Sequence, residues 1–308
     1  MKYKQWQVAA PSCEDQAILE SAGIPPLLAG ILAARGIVQP EQACSLLAPD
    51  SEPVLSPTLL KDMDLAAARV QLALARHETI AVYGDYDVDG ITSTCLLTEF
   101  LSRRDGRVIP YIPCRLDEGY GLNQEAVHTL AQQGVGLIIT VDCGITAVEE
   151  TQLANQLGMD VVITDHHTCK EELPPAVAVD PHRPDCTYPF KGLAGVGVAL
   201  MLAMAIAGPE EGERVLHAFS DLAAIGTIAD VMPMTGENRA IVSLGLTKLA
   251  HPKRPGLVSL LRCVGLEDKT ITSVSVGYTL APRINASGRL GRAEVACELL
   301  VTRDPARA

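Results

Sequence analysis

Over residues 1–76 the apolar positions recur at helical spacing, with Leu, Ile and Ala repeating along 17–20, 26–35, 40–47 and 63–75. Pro25, Pro26, Pro40, Pro53 and Pro57 punctuate the segment. Proline lacks an amide hydrogen and its ring clashes with the preceding turn, so this part reads as short helices joined at prolines, not as a sheet. At Thr79 the period changes. Short β-branched runs at 79–83, 107–112, 137–141, 161–164 and 176–179 now alternate with longer amphipathic stretches. Strands separated by helices need crossover connections, which make a sheet mostly parallel. The expected fold is α/β: a doubly wound, mostly parallel five-stranded sheet in a domain at 77–240, preceded by an N-terminal helical segment at 1–76 and followed by a helical C-terminal part at 241–308. Beyond Asp180 the chain turns proline-rich and then helical, with 215–228 running into Asp230.

Where these apolar runs stop is more informative than the runs themselves. Four of them end at acidic or histidine side chains: Asp85, Asp87 and Asp89; Asp142; Asp165, His166 and His167; and Asp180. Ligands of open α/β sheets bind beyond the carboxyl ends of the strands, so these groups are expected to converge on one crevice. Three carboxylates at alternate positions repel one another unless a cation neutralises them, and hard oxygen donors suit Mg2+ or Mn2+. A calcium loop would need a helix before it and a Glu at its twelfth position, where this chain has Leu96. The bland alternative is a solvated acidic turn that caps a helix starting near Ile91. Asp142 alone could equally be a helix cap. Imidazole binds Mn2+ readily and, protonated, contacts phosphate, which gives His166 and His167 two available tasks. Carboxylates and imidazole at the ends of three strands make a two-metal site of the kind that activates water and stabilises a leaving oxygen in phosphoryl transfer.

Bulk composition narrows the setting. The longest apolar runs, such as 196–207, are too short to cross a bilayer, and residues 1–7 lead into no apolar signal core. A soluble cytoplasmic chain with no membrane role is expected. Nine cysteines occur singly, without a C-x-x-C pair, which suits a reducing compartment, and none is assigned a role. The net charge of -12 argues against a uniformly basic nucleic-acid surface. From Arg239 onward, however, 11 Lys and Arg face 5 Asp and Glu. That surplus is either a local nucleic-acid track or drift in surface charge.

The strand-D-x-D-x-D-G signature at Asp85–Gly90, the strand-D-C-G-I at Asp142–Ile145 and Asp165-His166-His167 resemble, in order and context, the motifs of the DHH phosphoesterases. Longer stretches at 84–94, 118–122, 193–199, 226–233 and 282–289, with 35–37 and 57–63 in the helical part, are similar to the RecJ family of single-strand-specific exonucleases. The resemblance implies two Mn2+ ions, with Mg2+ as a substitute, on Asp87, Asp89, Asp142, His166 and Asp230, with Asp142 as the bridge. Asp85 would be a ligand or an outer partner, and Asp180 an outer partner or a turn residue. Tyr83 stands where many members have a histidine, so the first ion would be held differently. Asp142, His166 and His167 would be catalytic, His167 facing the scissile phosphate, with Arg283 and Arg289 on a phosphate track.

The activity so implied is 5′-to-3′ hydrolysis of single-stranded DNA in repair and recombination, with a single-strand-binding protein and a RecQ-type helicase as partners. Two other readings stay open: a DHH phosphoesterase for short oligonucleotides, cyclic dinucleotides or pyrophosphate, and a non-catalytic scaffold that keeps the fold but has lost ligands. The intact ligand set speaks against the scaffold. Family members continue into a DHHA1 domain and an OB-fold, neither of which precedes Ala308. Weak, distributive, salt-sensitive degradation of DNA is therefore expected of these residues alone.

Overall fold

The computed structural model describes residues 8–48, 53–114, 119 and 121–308. The reading of residues 1–7 and the Glu118 and Tyr120 positions of the 118–122 match lie outside them. Two compact units are present, Met1–Pro53 and Val54–Ala308. In the first, α1 (Cys13–Ser21), α2 (Pro26–Ala34) and α3 (Pro40–Leu47) surround a small core of Leu19, Ile24, Ala29, Leu32, Ala33 and Ala43. Proline opens α2 and α3 at their first position, where a missing amide hydrogen costs nothing.

The second unit begins with a single 3-10 turn, Pro57–Leu59, and α4 (Met63–Ala75). The periodicity groups α4 with the N-terminal helices, whereas the structure buries its Met63, Ala66, Val70 and Ala73 in the main core of the second unit. There follow β1 (Thr79–Gly84), α5 (Val88–Ser102), β2 (Arg107–Tyr111), α6 (Gln124–Gln132), β3 (Val135–Val141), α7 (Val148–Gln156), β4 (Asp160–Thr164) and β5 (Val177–Val179). The C-terminal part is helical: α8 (Gly195–Ala207), α9 (Gly212–Ala229), α10 (Gly236–Leu249), α11 (Pro255–Cys263), α12 (Ser273–Ser275), a π-helical turn (Val276–Leu280), α13 (Ala281–Arg289) and α14 (Ala293–Val301).

The five strands form one sheet in the order β2-β1-β3-β4-β5, and every pairing is parallel. Side chains alternate between its faces. Ile80, Val82, Leu137, Ile139 and Val162 face the core shared with α4, α5, α8 and α9, while Ala81, Tyr83, Ile138, Val161 and Ile163 face α6 and α7. Burial on both faces explains why the strands read as nearly continuous apolar runs. The apolar stretch 196–207 becomes α8, a helix with apolar residues all round and a place in the middle of the core. Truncating its fully buried Leu200 to alanine is expected to cost about 2–5 kcal/mol. No helix among the described residues is long and apolar enough to cross a membrane. In this strand order the winding reverses between β1 and β3, and ligands of such sheets lie outside the carboxyl ends of the strands at that point.

Candidate metal centre

β1 stops at Gly84, and the chain turns through Asp85 and Tyr86 into α5. The helix starts at Val88, three residues before the expected Ile91. Asp87 is consequently the N-cap, accepting from the Gly90 amide at 3.0 Å, and Asp89 lies in the first turn. The capping role anticipated for this acidic run thus applies to Asp87 alone. Asp89 is no solvated residue: it is 1% exposed, and its two oxygens accept from the amides of Gly195 and Val196 at 2.7 and 2.9 Å. Those amides open α8, whose N-cap Ala194 has no side chain to satisfy them. Asp89 caps α8 from across the molecule and complements its dipole. At Gly195 an added Cβ would stand 2.5 Å from the Cβ of Asp142, so only glycine lets α8 approach β3 this closely.

Asp142, following β3, has φ of 59°. Left-handed backbone at a non-glycine residue costs on the order of 1–3 kcal/mol and is retained where the surroundings enforce it. No helix begins here. α7 starts at Val148 with Ala147 as its N-cap, so the capping alternative for Asp142 is excluded. Asp142 is buried, and its Oδ1 accepts no hydrogen bond. Yet His166 Nε2 is 3.0 Å from that oxygen, 3.7 Å from Asp230 Oδ2 and 3.8 Å from Asp89 Oδ2. Two sets of ligand atoms, one on Asp142, His166 and His167 and the other on Asp89, His166 and Asp230, each lie within 4.8 Å of one another. Asp230 is the C-cap of α9, and Val231 after it is 85% exposed with φ of 58°, a strained conformation for a β-branched residue.

Electrostatics separates the two histidines. Burial first, then the neighbouring carboxylates, push Asp89 and Asp142 well above the usual carboxylate range. Burial and Asp87 raise Asp230 to about 6. Among the described residues, none of these three carboxylates has a Lys or Arg partner. His166 is lowered to about 4 by burial and by His167, and its ring is also hydrogen-bonded to the Leu193 backbone. At neutral pH it is uncharged, with a lone pair available to a cation. His167 is raised to about 9 by its 2.7 Å bond from Nδ1 to Asp165, so it keeps its proton. Asp165 also accepts from the amides of Ile145, His166 and His167 at 2.9, 2.7 and 3.2 Å. Burial alone would raise it, but the bond to His167 and these amides bring it below the ordinary value. Orphaned buried oxygen, mutually repelling carboxylates and a neutral imidazole form a donor set that fits divalent cations.

The remaining expected residues are placed less closely. Asp85 is buried beside the crevice but belongs to neither ligand set, and Asp87 faces it closely enough to raise all three carboxylates. Asp180 follows β5, fully buried, and accepts from the His182 amide at 2.6 Å, which is a turn role. Burial pushes it up to about 7. Tyr83 donates to the Gly121 carbonyl at 2.8 Å and stacks on Tyr111 at 5.2 Å. It fills the second core. Arg283 and Arg289 are exposed on α13 and form no ion pair with any described carboxylate; Arg283 donates to the Thr279 carbonyl at 2.7 Å. Their helix nonetheless abuts the Asp85–Asp87 turn, because an added Cβ at Gly288 would stand 2.1 Å from the Tyr86 carbonyl oxygen. Sequence reasoning missed the anchoring of His167 by Asp165 and the capping of α8 by Asp89. A signal for the second existed: an apolar helix that opens on Ala194-Gly195 has no cap of its own.

A doubly wound parallel sheet that gathers buried carboxylates and a neutral histidine outside β1, β3 and β4 defines an α/β domain built around a divalent-metal centre. Residues 79–227 match the model of the DHH family, N-terminal domain, and the chain belongs to that family. It is 43% identical over 302 residues to the single-stranded-DNA-specific exonuclease RecJ of Bacillus subtilis (strain 168), covering 97% of this chain and 38% of that protein. With RecJ of Thermus thermophilus it shares 42% identity over 262 residues, 84% of this chain and 38% of the relative. The crystal structure of RecJ from Thermus thermophilus in complex with Mn2+ superposes with a TM-score of 0.80 at 36% identity, over 97% of this chain and 43% of that one. This chain spans less than half the length of these relatives.

Proposed function

We propose that the chain is the catalytic part of a RecJ-type exonuclease that hydrolyses single-stranded DNA from the 5′ end, using two divalent ions, Mn2+ or Mg2+. One observation carries the metal assignment: a buried Asp142 oxygen without a hydrogen bond faces the Nε2 of a neutral His166 at 3.0 Å, among carboxylates that no Lys or Arg of the described residues neutralises. The relatives named as single-stranded-DNA-specific exonucleases support the substrate. Asp87, Asp89, Asp142, His166 and Asp230 are the proposed ligands, with Asp142 shared and Asp85 supporting them from behind. When bound, such ions neutralise phosphoryl oxygens and make water nucleophilic near neutral pH. His167, its Nδ1 fixed by Asp165, holds a proton on Nε2 for the scissile phosphate. Arg283 and Arg289, on the helix beside the Asp85–Asp87 turn, are proposed to receive the strand's further phosphates.

The proposal extends to a cytoplasmic setting, with which nine cysteines occurring singly, without a C-x-x-C pair, accord. It extends also to a single-strand-binding protein and a RecQ-type helicase as partners, testable by co-purification. The deciding experiment combines metal titration with a time course on DNA labelled at either end. Two Mn2+ per chain and stepwise release of 5′-terminal mononucleotides are expected. Release from the 3′ end, turnover of cyclic dinucleotides or pyrophosphate in preference to strands, or full activity in EDTA would overturn the reading.

A further inference from the structure

A second charged cavity, of about 550 Å3, lies between the far end of α5 and the first half of α9, remote from the metal centre. From Asp89 to Arg103, α5 advances 14 residues, or about 21 Å at helical rise, which sets the separation of the two sites. Six cationic side chains line the cavity, Arg103, Arg214, Lys248, Lys253, Arg254 and Arg303, against two carboxylates, Glu99 and Asp221. Part of this charge is internally satisfied. Arg254 joins Glu99 to Asp221, with Nε 3.0 Å from Asp221 Oδ2, and Lys248 is 3.1 Å from Asp221 Oδ1. Arg103 also meets Glu99 but leaves 45% of its side chain exposed, and Arg303, 72% exposed, is 3.9 Å from the same carboxylate. Arg214 and Lys253 are exposed and have no carboxylate partner among the described residues. Four positive charges remain over the two carboxylates, in a chain of net charge -12.

We propose that this cavity is a second, non-catalytic anion site that takes phosphate groups. Guanidinium forks pair bidentately with phosphate oxygens, and exposed ammonium groups add point charges. α11 opens on the same cavity at Arg254 and Pro255 without a side-chain cap, so its first-turn amides and dipole favour an anion there. Between the cations the wall is Ala218, Pro255 and Val301, with His217 and Thr302 as its uncharged polar groups. Charge outweighs hydrogen-bonding groups in this lining, which favours phosphate over the bases. Its volume suits a nucleotide-sized ligand. The basic surplus beyond Arg239 finds its place here, since Lys248, Lys253, Arg254 and Arg303 all come from it. The phosphate has two possible sources, a free nucleotide or the backbone of a single strand, and the inference does not depend on what the metal centre does.

The test uses the full chain in EDTA, so that no cation at the metal centre contributes. Binding of pyrophosphate, thymidine 5′-monophosphate and an oligothymidylate is measured by calorimetry for wild type, for the double variant Arg214→Ala/Lys253→Ala and for His167→Ala. Both residues of the double variant are exposed and form no ion pair with any described residue, so the fold should survive, as checked by an unchanged Tm. Pyrophosphate affinity is expected to fall about tenfold or more in the double variant and to stay unchanged in His167→Ala. An equal loss for the oligothymidylate, with pyrophosphate competing, assigns the site to a strand backbone; a loss confined to the two small ligands assigns it to free nucleotides. Identical affinities for all three ligands in wild type and double variant, or a loss of pyrophosphate binding in His167→Ala instead, would overturn the proposal.

Discussion

α5 and α9 carry acidic side chains at the metal centre and again further along, Glu99 near the far end of α5 and Asp221 midway along α9, and the two clusters solve the same electrostatic problem differently. In one, Asp89 of α5 and Asp230 after α9 meet Asp142, with no Lys or Arg partner among the described residues. In the other, Glu99 and Asp221 are joined by Arg254 and Lys248. A buried carboxylate left unneutralised costs several kcal/mol. Where the counter-charge is covalently part of the chain, the cluster is a joint that holds α5, α9, α10 and α11 together. Where the relief among the described residues is a pair of α8 amides on Asp89, a neutral imidazole and the nearby charge of His167, the remaining balance comes from protons or from an exchangeable cation. Asp230 is doubly disfavoured as an anion, because it terminates α9 at the negative end of the helix dipole.

The contrast can be broken most sharply at Asp142. Asp142→Ala is expected to lower hydrolysis about ten-thousandfold, equivalent to about 5 kcal/mol, while metal-free stability stays the same or rises because one of the repelling carboxylates is gone. Wild-type turnover by this variant in Mn2+ would remove Asp142 from the centre. In the other cluster Arg254→Met should behave in the opposite way, losing about 3–5 kcal/mol of stability in urea unfolding, since it strands Glu99 and Asp221 in a site where Arg254 is only 10% exposed. An unchanged urea midpoint would mean that the joint is not held by charge.

His167 tests a place in the metal crevice where a carboxylate, Asp165, is balanced from within. His167→Gln should slow hydrolysis about a hundredfold with metal stoichiometry unchanged. Because Asp165 raises His167 to about 9, the stabilisation it adds is fully present below the ordinary histidine value near 6.5 and is lost as pH rises through about 9. The stability gap between wild type and variant should close over that window; a gap independent of pH would mean that the pair is not ionic.

The smallest effect is expected from Asp230→Asn in EDTA. Burial and Asp87 raise Asp230 to about 6, so the folded wild type holds a proton that the unfolded chain gives up near pH 4. Wild type and variant should match at low pH, and the variant should become the more stable by about 1–2 kcal/mol as pH rises from about 4 to about 6, after allowance for its partial exposure. Saturating Mn2+ should reverse the order, because binding to the folded state alone stabilises it. A wild-type advantage in EDTA at pH 7 would show that Asp230 already has a partner charge.

Much of the fold is legible because its signals are local. β-branched runs of strand length, spaced by amphipathic stretches, leave a parallel doubly wound sheet as the packing that buries both faces, and all five strands lie where the runs are, within two residues at their ends. The first helix of the sheet domain starts three residues earlier than its apolar pattern suggests, since Asp87-Val88-Asp89-Gly90 looks like a loop until Asp87 is seen to cap it. Periodicity places α4 with the wrong helices because it reports that a face is buried but not against what.

The chain itself determined which chemistry could be assembled. Parallel strands deliver their carboxyl ends to one edge, so Asp85 to Asp89, Asp142 and the Asp165-His166-His167 triplet had to arrive together whatever the details of packing. Only the tertiary structure decided what each would do there. Asp89 was turned inward by the amides of a helix 106 residues further on, Asp142 was pressed into left-handed backbone against Gly195, and Asp230 was brought in by the packing of α9. Adjacent histidines, indistinguishable by type, were split into a neutral ligand and a protonated partner of Asp165 by burial and one hydrogen bond. Burial and charge pairing are sums over neighbours distant in sequence, which is why residue type and order announce a metal centre while the division of labour within it belongs to the fold.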